Sequence, residues 1–205
     1  MVRWGITGGI GAGKSTAGSI LAARGIPFLD TDDVAREVVE PGSEGLSEIL
    51  RTFGRGILRP DGSLDRAALA AIVFRSDECR KQLESILHPR IHAAWTAWLE
   101  RQESMGTPLA AVVIPLLFEK GYAGDFQDVI AVGCTDATQW IRLRARGWDD
   151  SEIAARVGSQ WPTARKLAAA DRVIWNEGTA DVHARQWDRL LAARLGGGDG
   201  GQVRR

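Results

Sequence analysis

Gly8-Gly9-Ile10-Gly11-Ala12-Gly13-Lys14-Ser15 is the stretch on which the reading of the fold turns. It fits G-x-x-x-x-G-K-[ST], a glycine-rich loop that cradles phosphate groups. The pattern needs a strand before it and a helix after it. Here residues 2–7 suit a short buried strand, and 16–24 read as a helix. Glycines let backbone N–H groups close on phosphate oxygens, because no Cβ blocks the approach. A helix starting near Gly13 adds unpaired N–H groups and the positive end of its dipole. Lys14 offers a point charge to β- and γ-phosphates, and Ser15 a hydroxyl to Mg²⁺. A plain glycine-rich turn is the competing reading, and the agreement of both flanks weighs against it.

With 205 residues, one domain with insertions is the expectation. A hydrophobic content of 44% supports a sizeable core, and a formal net charge of zero supplies no global field toward nucleic acid or membrane. Cys79 and Cys134 are far apart and lack metal-site spacing, which suits a reduced, intracellular protein. No basic-then-apolar leader opens the chain. The longest uncharged apolar stretch, 108–118, is short for a bilayer and is broken by Pro115. A soluble, cytoplasmic protein is expected, with no nucleic-acid or membrane partner. Oligomeric state is not legible.

Strand and helix then alternate. Residues 26–29 suit a second buried strand, followed at once by Asp30-Thr31-Asp32-Asp33. Open parallel α/β sheets bind ligands at the carboxyl ends of their strands, which is also where the glycine loop lies. Asp32 is therefore a candidate for a catalytic or Mg²⁺-linked role. Equally, Asp30 or Thr31 can cap a helix over 33–39, and one acid can cap while another faces the site. After Pro41-Gly42-Ser43 the pattern turns helical as far as 101, with helices expected at 64–74, 77–87 and 90–101. No strand interrupts them, so this is a helical insertion suited to binding an acceptor. His88 reads first as a helix-end or core histidine and second as a ligand group. Arg90 offers a planar fork suited to phosphate.

Residues 109–114 form the best strand pattern, apolar and β-branched as a doubly buried strand should be. Glu119 follows its end. A fourth strand is expected at 128–132 and a helix at 137–146, where Gln139, Arg142 and Arg146 share one face. Asp149 with Glu152 resembles a capping box opening a helix over 151–157. Two helices meeting at Gly147 form a lid that can bring charge to phosphates, although arginines on a surface helix also serve solubility. A short helix at 163–170 leads to a last strand at 171–175, and Asn176 and Gly178 lie beyond its end. A closing helix over 179–194 buries Val182, Trp187, Leu190 and Leu191. No internal repeat is present.

These motifs together resemble the dephospho-coenzyme A kinase family. The resemblance rests on 7–16, TGGIGAGKST, then Asp30-Thr31-Asp32, Ala35-Arg36 and Val39-Glu40-Pro41-Gly42. It continues with His88-Pro89, Pro115-Leu116-Leu117-Phe118-Glu119, and Gln139, Arg142 and Arg146. Gln160, Pro162 and Lys166 follow, then Ala170-Asp171, Val173-Ile174, Asn176 and Gly178. The loop alone is common to many NTPases, whereas the combination is specific. Three positions depart from the family pattern. Trp175 stands where aspartate is usual, Gly133 where an acid is often found, and Thr31 where alanine is common.

The resemblance implies an α/β P-loop NTPase three-layer fold with a five-stranded parallel sheet. The core would comprise 1–40, 107–136 and 170–195, with a helical acceptor-binding insertion at 41–106 and a lid at 137–169; the resemblance stops short of 196–205, whose glycine-rich, polar composition suits a disordered tail. It implies ATP and dephospho-CoA as substrates, Mg²⁺ as cofactor, and transfer of the γ-phosphoryl to the ribose 3′-hydroxyl. Asp32 resembles the general base, and Lys14, Arg142 and Arg146 phosphate clamps. Gly9, Gly11, Ala12, Gly13, Lys14, Ser15 and Thr16 would hold the ATP phosphates. Asn176 and Gly178 would meet the adenine. Thr7, Asp32, His88, Arg90, Leu117 and Glu119 would form the acceptor side. Ser15 would hold Mg²⁺, with Asp32 or Glu119 reaching it through water. Another nucleotide or small-molecule P-loop kinase is the alternative. A GTP-dependent switch lacks its motifs here: no Asp-x-x-Gly occurs, and the sole asparagine, Asn176, precedes Glu177.

Overall fold

The computed structural model describes residues 1–196. The tail expected to be disordered, 196–205, lies outside the described residues apart from Gly196. The chain divides into two compact units. One comprises Met1–Phe28 and the chain from Gln102 onward, and the other is Leu29–Arg101.

Five strands build the sheet: β1 (Val2–Gly8), β2 (Phe28–Asp30), β3 (Leu109–Val113), β4 (Asp128–Gly133) and β5 (Arg172–Trp175). Their order is β2-β3-β1-β4-β5. β1 runs parallel to β3 on one side and β4 on the other, with Ile6 opposite Val113 and Ile130, and β4 is parallel to β5. Every residue of β3 is buried, as its uninterrupted apolar run requires of a strand covered on both faces.

Alternation along β1 sorts the two faces. Trp4 and Ile6 pack into a cluster with Ala17 and Leu21 of α1 (Lys14–Ala22) and Trp187 and Leu191 of α9 (Ala180–Leu195). The rings of Trp4 and Trp187 lie 6.3 Å apart. On the opposite face a Cβ at Gly5 would come within 2.7 Å of Leu117 and Phe126, so only glycine admits their close packing. The buried stripe of α9 is His183, Trp187 and Leu191, spaced four apart. Val182, expected inside, is exposed instead, because the stripe is rotated one residue from the expected one.

The second unit holds α2 (Thr31–Glu37), α3 (Glu44–Phe53), α4 (Arg66–Val73) and most of α5 (Asp77–Ser104). Its core gathers Val39, Leu46, Ile49, Ile57, Leu64, Leu69 and Ile86. The expected break at Pro89 does not occur, and α5 is one helix of 28 residues with the proline inside it. Proline removes one ladder bond and crowds the preceding turn, at a cost of about 3 kcal/mol. Burial of Ile86 before it and of Trp95 and Leu99 after it offsets that cost.

Candidate active site

The glycine loop leaves the central strand and turns into α1. Gly8, Gly11 and Gly13 all have positive φ, at 150°, 76° and 107°. At Gly13 a Cβ would also stand 2.0 Å from Asn176 Nδ2, so backbone angle and close approach both exclude a side chain there. The loop's carbonyls are occupied by side chains. Lys14 Nζ donates to the Gly8 and Gly9 carbonyls at 2.9 and 3.0 Å. Asn176 Nδ2 donates to the Ala12 carbonyl at 2.8 Å. Arg142 lies 3.5 Å from the Gly11 and Ala12 carbonyls and donates to that of Asn176 at 2.9 Å. Of the loop's own N–H groups, that of Ala12 donates to the Gly9 carbonyl at 3.1 Å; glycine-rich turns of this kind present their unengaged N–H groups to anions. Ser15 and Thr16, in the first turn of α1, are exposed.

Three short helices follow β4: α6 (Asp136–Arg144), α7 (Asp150–Gly158) and α8 (Thr163–Ala169). Asp149 caps α7 by accepting from the Glu152 N–H, one half of the expected capping box; the Glu152 carboxylate turns to Arg156 instead of back to the Asp149 N–H. Gln139 of α6 is buried and donates to the Ile10 carbonyl at 2.7 Å, and Gln160 accepts from the Ile10 N–H at 3.1 Å. Arg142, Arg146, Asn176, Gly178 and His183 line a cavity of about 400 Å³ beside Gly11 and Gly13.

The acids after β2 divide their work. Asp30 is the N-cap of α2 and accepts from the Asp32 N–H at 2.9 Å. Asp33 pairs with Arg36. The Asp32 carboxylate is exposed and, among the described residues, makes neither a hydrogen bond nor an ion pair. Also within the second unit, Arg90 is engaged by the Glu48 carboxylate and donates to the Ile86 carbonyl at 2.7 Å. His88 lies inside α5, one residue before Pro89.

Glu119, beyond β3, is tied down. Its Oε1 accepts from the Trp161 N–H at 2.8 Å and lies 2.8 Å from Nζ of the fully buried Lys166. Burial pushes this carboxyl up, but Lys166 and the Trp161 N–H outweigh it and hold the group below its ordinary range. Its Oε2 is buried without a hydrogen bond. Thr7 and Leu117 are fully buried. Thr7 donates to the Pro115 carbonyl at 3.2 Å, and Leu117 packs toward Gly5, so both lie in the interior rather than at the surface.

Two departures from the family pattern prove to be neighbours. Gly133 and Trp175 are register partners across β4 and β5. A Cβ at 133 would stand 2.9 Å from Leu167 and 3.3 Å from the Trp175 ring. The indole and the missing side chain are therefore one packing solution.

His183 carried no signal in the sequence, yet it is buried at the cavity, and its Nε2 has no hydrogen-bond partner. Burial, aided by the nearby Arg142 charge, pushes its imidazole below the ordinary value. The folded protein therefore holds it neutral where the unfolded chain binds a proton. Stability due to this group is complete above about pH 6.5 and declines as pH falls toward the lowered value, by at most about 1.4 kcal/mol per pH unit. Urea midpoints should drop between pH 7 and 5.5, and His183→Gln should shrink that drop. An equal drop in the variant would exclude His183 as the source.

A parallel sheet that opens its central strand into this loop, under helices that bring arginine and glutamine to it, is the build of a P-loop kinase. The model of the dephospho-CoA kinase family matches residues 2–181. A dephospho-CoA kinase of Anaeromyxobacter dehalogenans is 44% identical over 94% of this chain and 92% of its own. Among solved structures, one from Thermus thermophilus superposes with a TM-score of 0.80 at 35% identity, covering 94% of this chain and 97% of that one. Dephospho-CoA kinase from Campylobacter jejuni superposes at 0.70 and 26% identity, covering 95% and 98%. The chain belongs to the dephospho-CoA kinase family. It is an ATP-dependent kinase, of a class that works with a divalent metal ion. No helix among the described residues is long and apolar enough to cross a membrane.

Proposed function

We propose that Asp32 is the general base in transfer of the γ-phosphoryl of ATP to the ribose 3′-hydroxyl of dephospho-CoA, yielding coenzyme A and ADP. The observation that carries this role is the division of labour after β2. Asp30 is spent on the cap and Asp33 on Arg36, which leaves the exposed Asp32 carboxylate for an acceptor hydroxyl. Phosphoryl transfer has a loose transition state, so the protein mainly positions reactants and stabilises charge. Lys14 and Arg142 meet the charge on the phosphate oxygens, and the exposed Arg146 adds to it. Gly9, Gly11 and Gly13 hold the phosphates through N–H groups, those of Ile10 and Ala12 being taken by Gln160 and the Gly9 carbonyl. Thr16, Asn176 and Gly178 frame the nucleoside side of the cavity. Asp32 orients the hydroxyl and accepts its proton late in the transfer.

The insertion at 41–106 is the acceptor-binding part, with His88 and Arg90 as its polar contacts, and 137–169 is the lid. By the family resemblance, Thr7, Leu117 and Glu119 are also assigned to the acceptor side. Mg²⁺ suits the donor set, because it keeps most of its waters and phosphate oxygens and asks the protein for one or two oxygens. The exposed Ser15 hydroxyl would supply one, with the exposed Asp32 carboxylate reaching the ion through water; Glu119, whose Oε1 is tied to Lys166 and whose Oε2 is buried, is the poorer candidate. When bound, the ion neutralises charge shared by the β- and γ-phosphates.

The test is ATP consumption assayed in parallel with dephospho-CoA, nucleoside monophosphates and sugars, with the product identified by its phosphorylated position. Turnover with dephospho-CoA alone, giving the 3′-phosphorylated product, is the expected result. Preferential turnover of another acceptor would overturn the substrate assignment.

A further inference from the structure

We propose that Gln139 and Gln160 are positioning residues that set the peptide planes of the phosphate loop from the lid side. Both bind Ile10, at the crest of the loop, and they bind its opposite ends. Gln139 Nε2 donates to the Ile10 carbonyl at 2.7 Å, and Gln160 Oε1 accepts from the Ile10 N–H at 3.1 Å. Each contact governs a different peptide unit. A peptide group is planar, and in the trans form its C=O and N–H point in opposite directions. No cis bond occurs among the described residues. Holding the Ile10 carbonyl therefore turns the Gly11 N–H away from Gln139 and into the loop. Holding the Ile10 N–H fixes the unit whose other end is the Gly9 carbonyl, the acceptor for Lys14 Nζ at 3.0 Å. One glutamine thus aims a phosphate donor, and the other fixes the seat of the lysine.

The surroundings are built for this. A Cβ at Gly9 would stand 2.9 Å from Gln139 Nε2, so glycine at this position leaves room for the amide. The residue after Gln160 is anchored: the Trp161 N–H donates to Glu119, Glu119 pairs with the buried Lys166, and the Trp161 ring stacks on Phe118 with centroids 5.8 Å apart. That anchor gives Glu119 and Lys166 their place. They hold the segment that holds the loop.

The inference rests on the loop's grip on a nucleoside triphosphate. Its test is the ratio of two dissociation constants, for AMP and for ATP without acceptor, measured by calorimetry on the full chain. AMP shares the base, ribose and α-phosphate but lacks the phosphates that the loop cradles. Methionine keeps the length of glutamine and removes its hydrogen bonds without adding charge. Gln139→Met should lower the AMP-to-ATP ratio about tenfold and Gln160→Met about fivefold, the scale of one hydrogen bond to a polar or charged system. The KM for dephospho-CoA should stay within about twofold, since both amides are engaged with Ile10 of the phosphate loop. A ratio that stays constant, whether both affinities fall together or neither changes, overturns the positioning role, and either variant decides alone. Equal affinity for ATP and AMP in the unmodified protein would instead overturn the loop assignment itself.

Discussion

Lys14→Ala is expected to abolish detectable turnover and to weaken ATP binding in the same measurement. The ammonium is held at the loop by the Gly8 and Gly9 carbonyls, at 2.9 and 3.0 Å. It is therefore in place before nucleotide arrives, and little side-chain entropy remains to be lost on binding. A hydrogen bond to a charged group contributes about 1.5–3 kcal/mol, so ATP affinity should fall roughly ten- to hundredfold. The rate should fall further, because charge on the transferring group peaks in the transition state. By analogy with cationic groups that contact a transferring phosphoryl, a loss of about 10³-fold or more is expected. Arginine should not rescue fully, since its planar fork cannot occupy the seat of a compact ammonium. Calorimetric titration with ATP and steady-state rates test both parts. Unchanged ATP affinity would contradict the cradle.

Asp32→Asn is expected to separate binding from chemistry. The substitution keeps shape and removes the basic oxygen, so kcat should fall by about 10²–10⁴ while ATP affinity stays near normal. The fold should be unaffected, because the helix cap is Asp30 and Asp32 contributes only its backbone N–H to it. Matched thermal midpoints for parent and variant would show this. Full turnover in the variant would remove Asp32 from the mechanism.

The contrast between Asp30 and Asp32 also shows how far a sequence can be read. A run of three acids around Thr31 announces both a helix start and a candidate site, and composition cannot say which acid does which. The answer depends on the backbone angle at Asp30, extended at φ −98° and ψ 122°, which turns that carboxylate onto the helix and leaves the next acid outside. Gln139 and Gln160 are a second case. They are 21 positions apart in the chain, yet they meet on a single residue more than 120 positions away. Periodicity places Gln139 on one face of α6, but it carries no information on what lies opposite. His183 is a third: it follows the spacing of a buried stripe, and nothing local marks it as lining a cavity. At Pro89 local chemistry predicted a break, and burial on either side of the proline carried the helix through.

Local chemistry determined the rest. The glycine loop, its flanking strand and helix, the all-apolar β3, and the caps at Asp149 and Thr179 follow from short-range sterics and hydrogen bonding, which act over a few residues and so are written in neighbouring letters. That is why the strand, glycine loop and helix were legible around Gly8 to Ser15 alone. Only the tertiary structure decided which side chains close on that loop, that Gly133 and Trp175 fit each other, and that Glu119, paired with Lys166, holds the Trp161 N–H. These contacts join residues 42 or more positions apart. Their existence depends on strand order and register, which the burial of every neighbouring element sets together and no single stretch specifies.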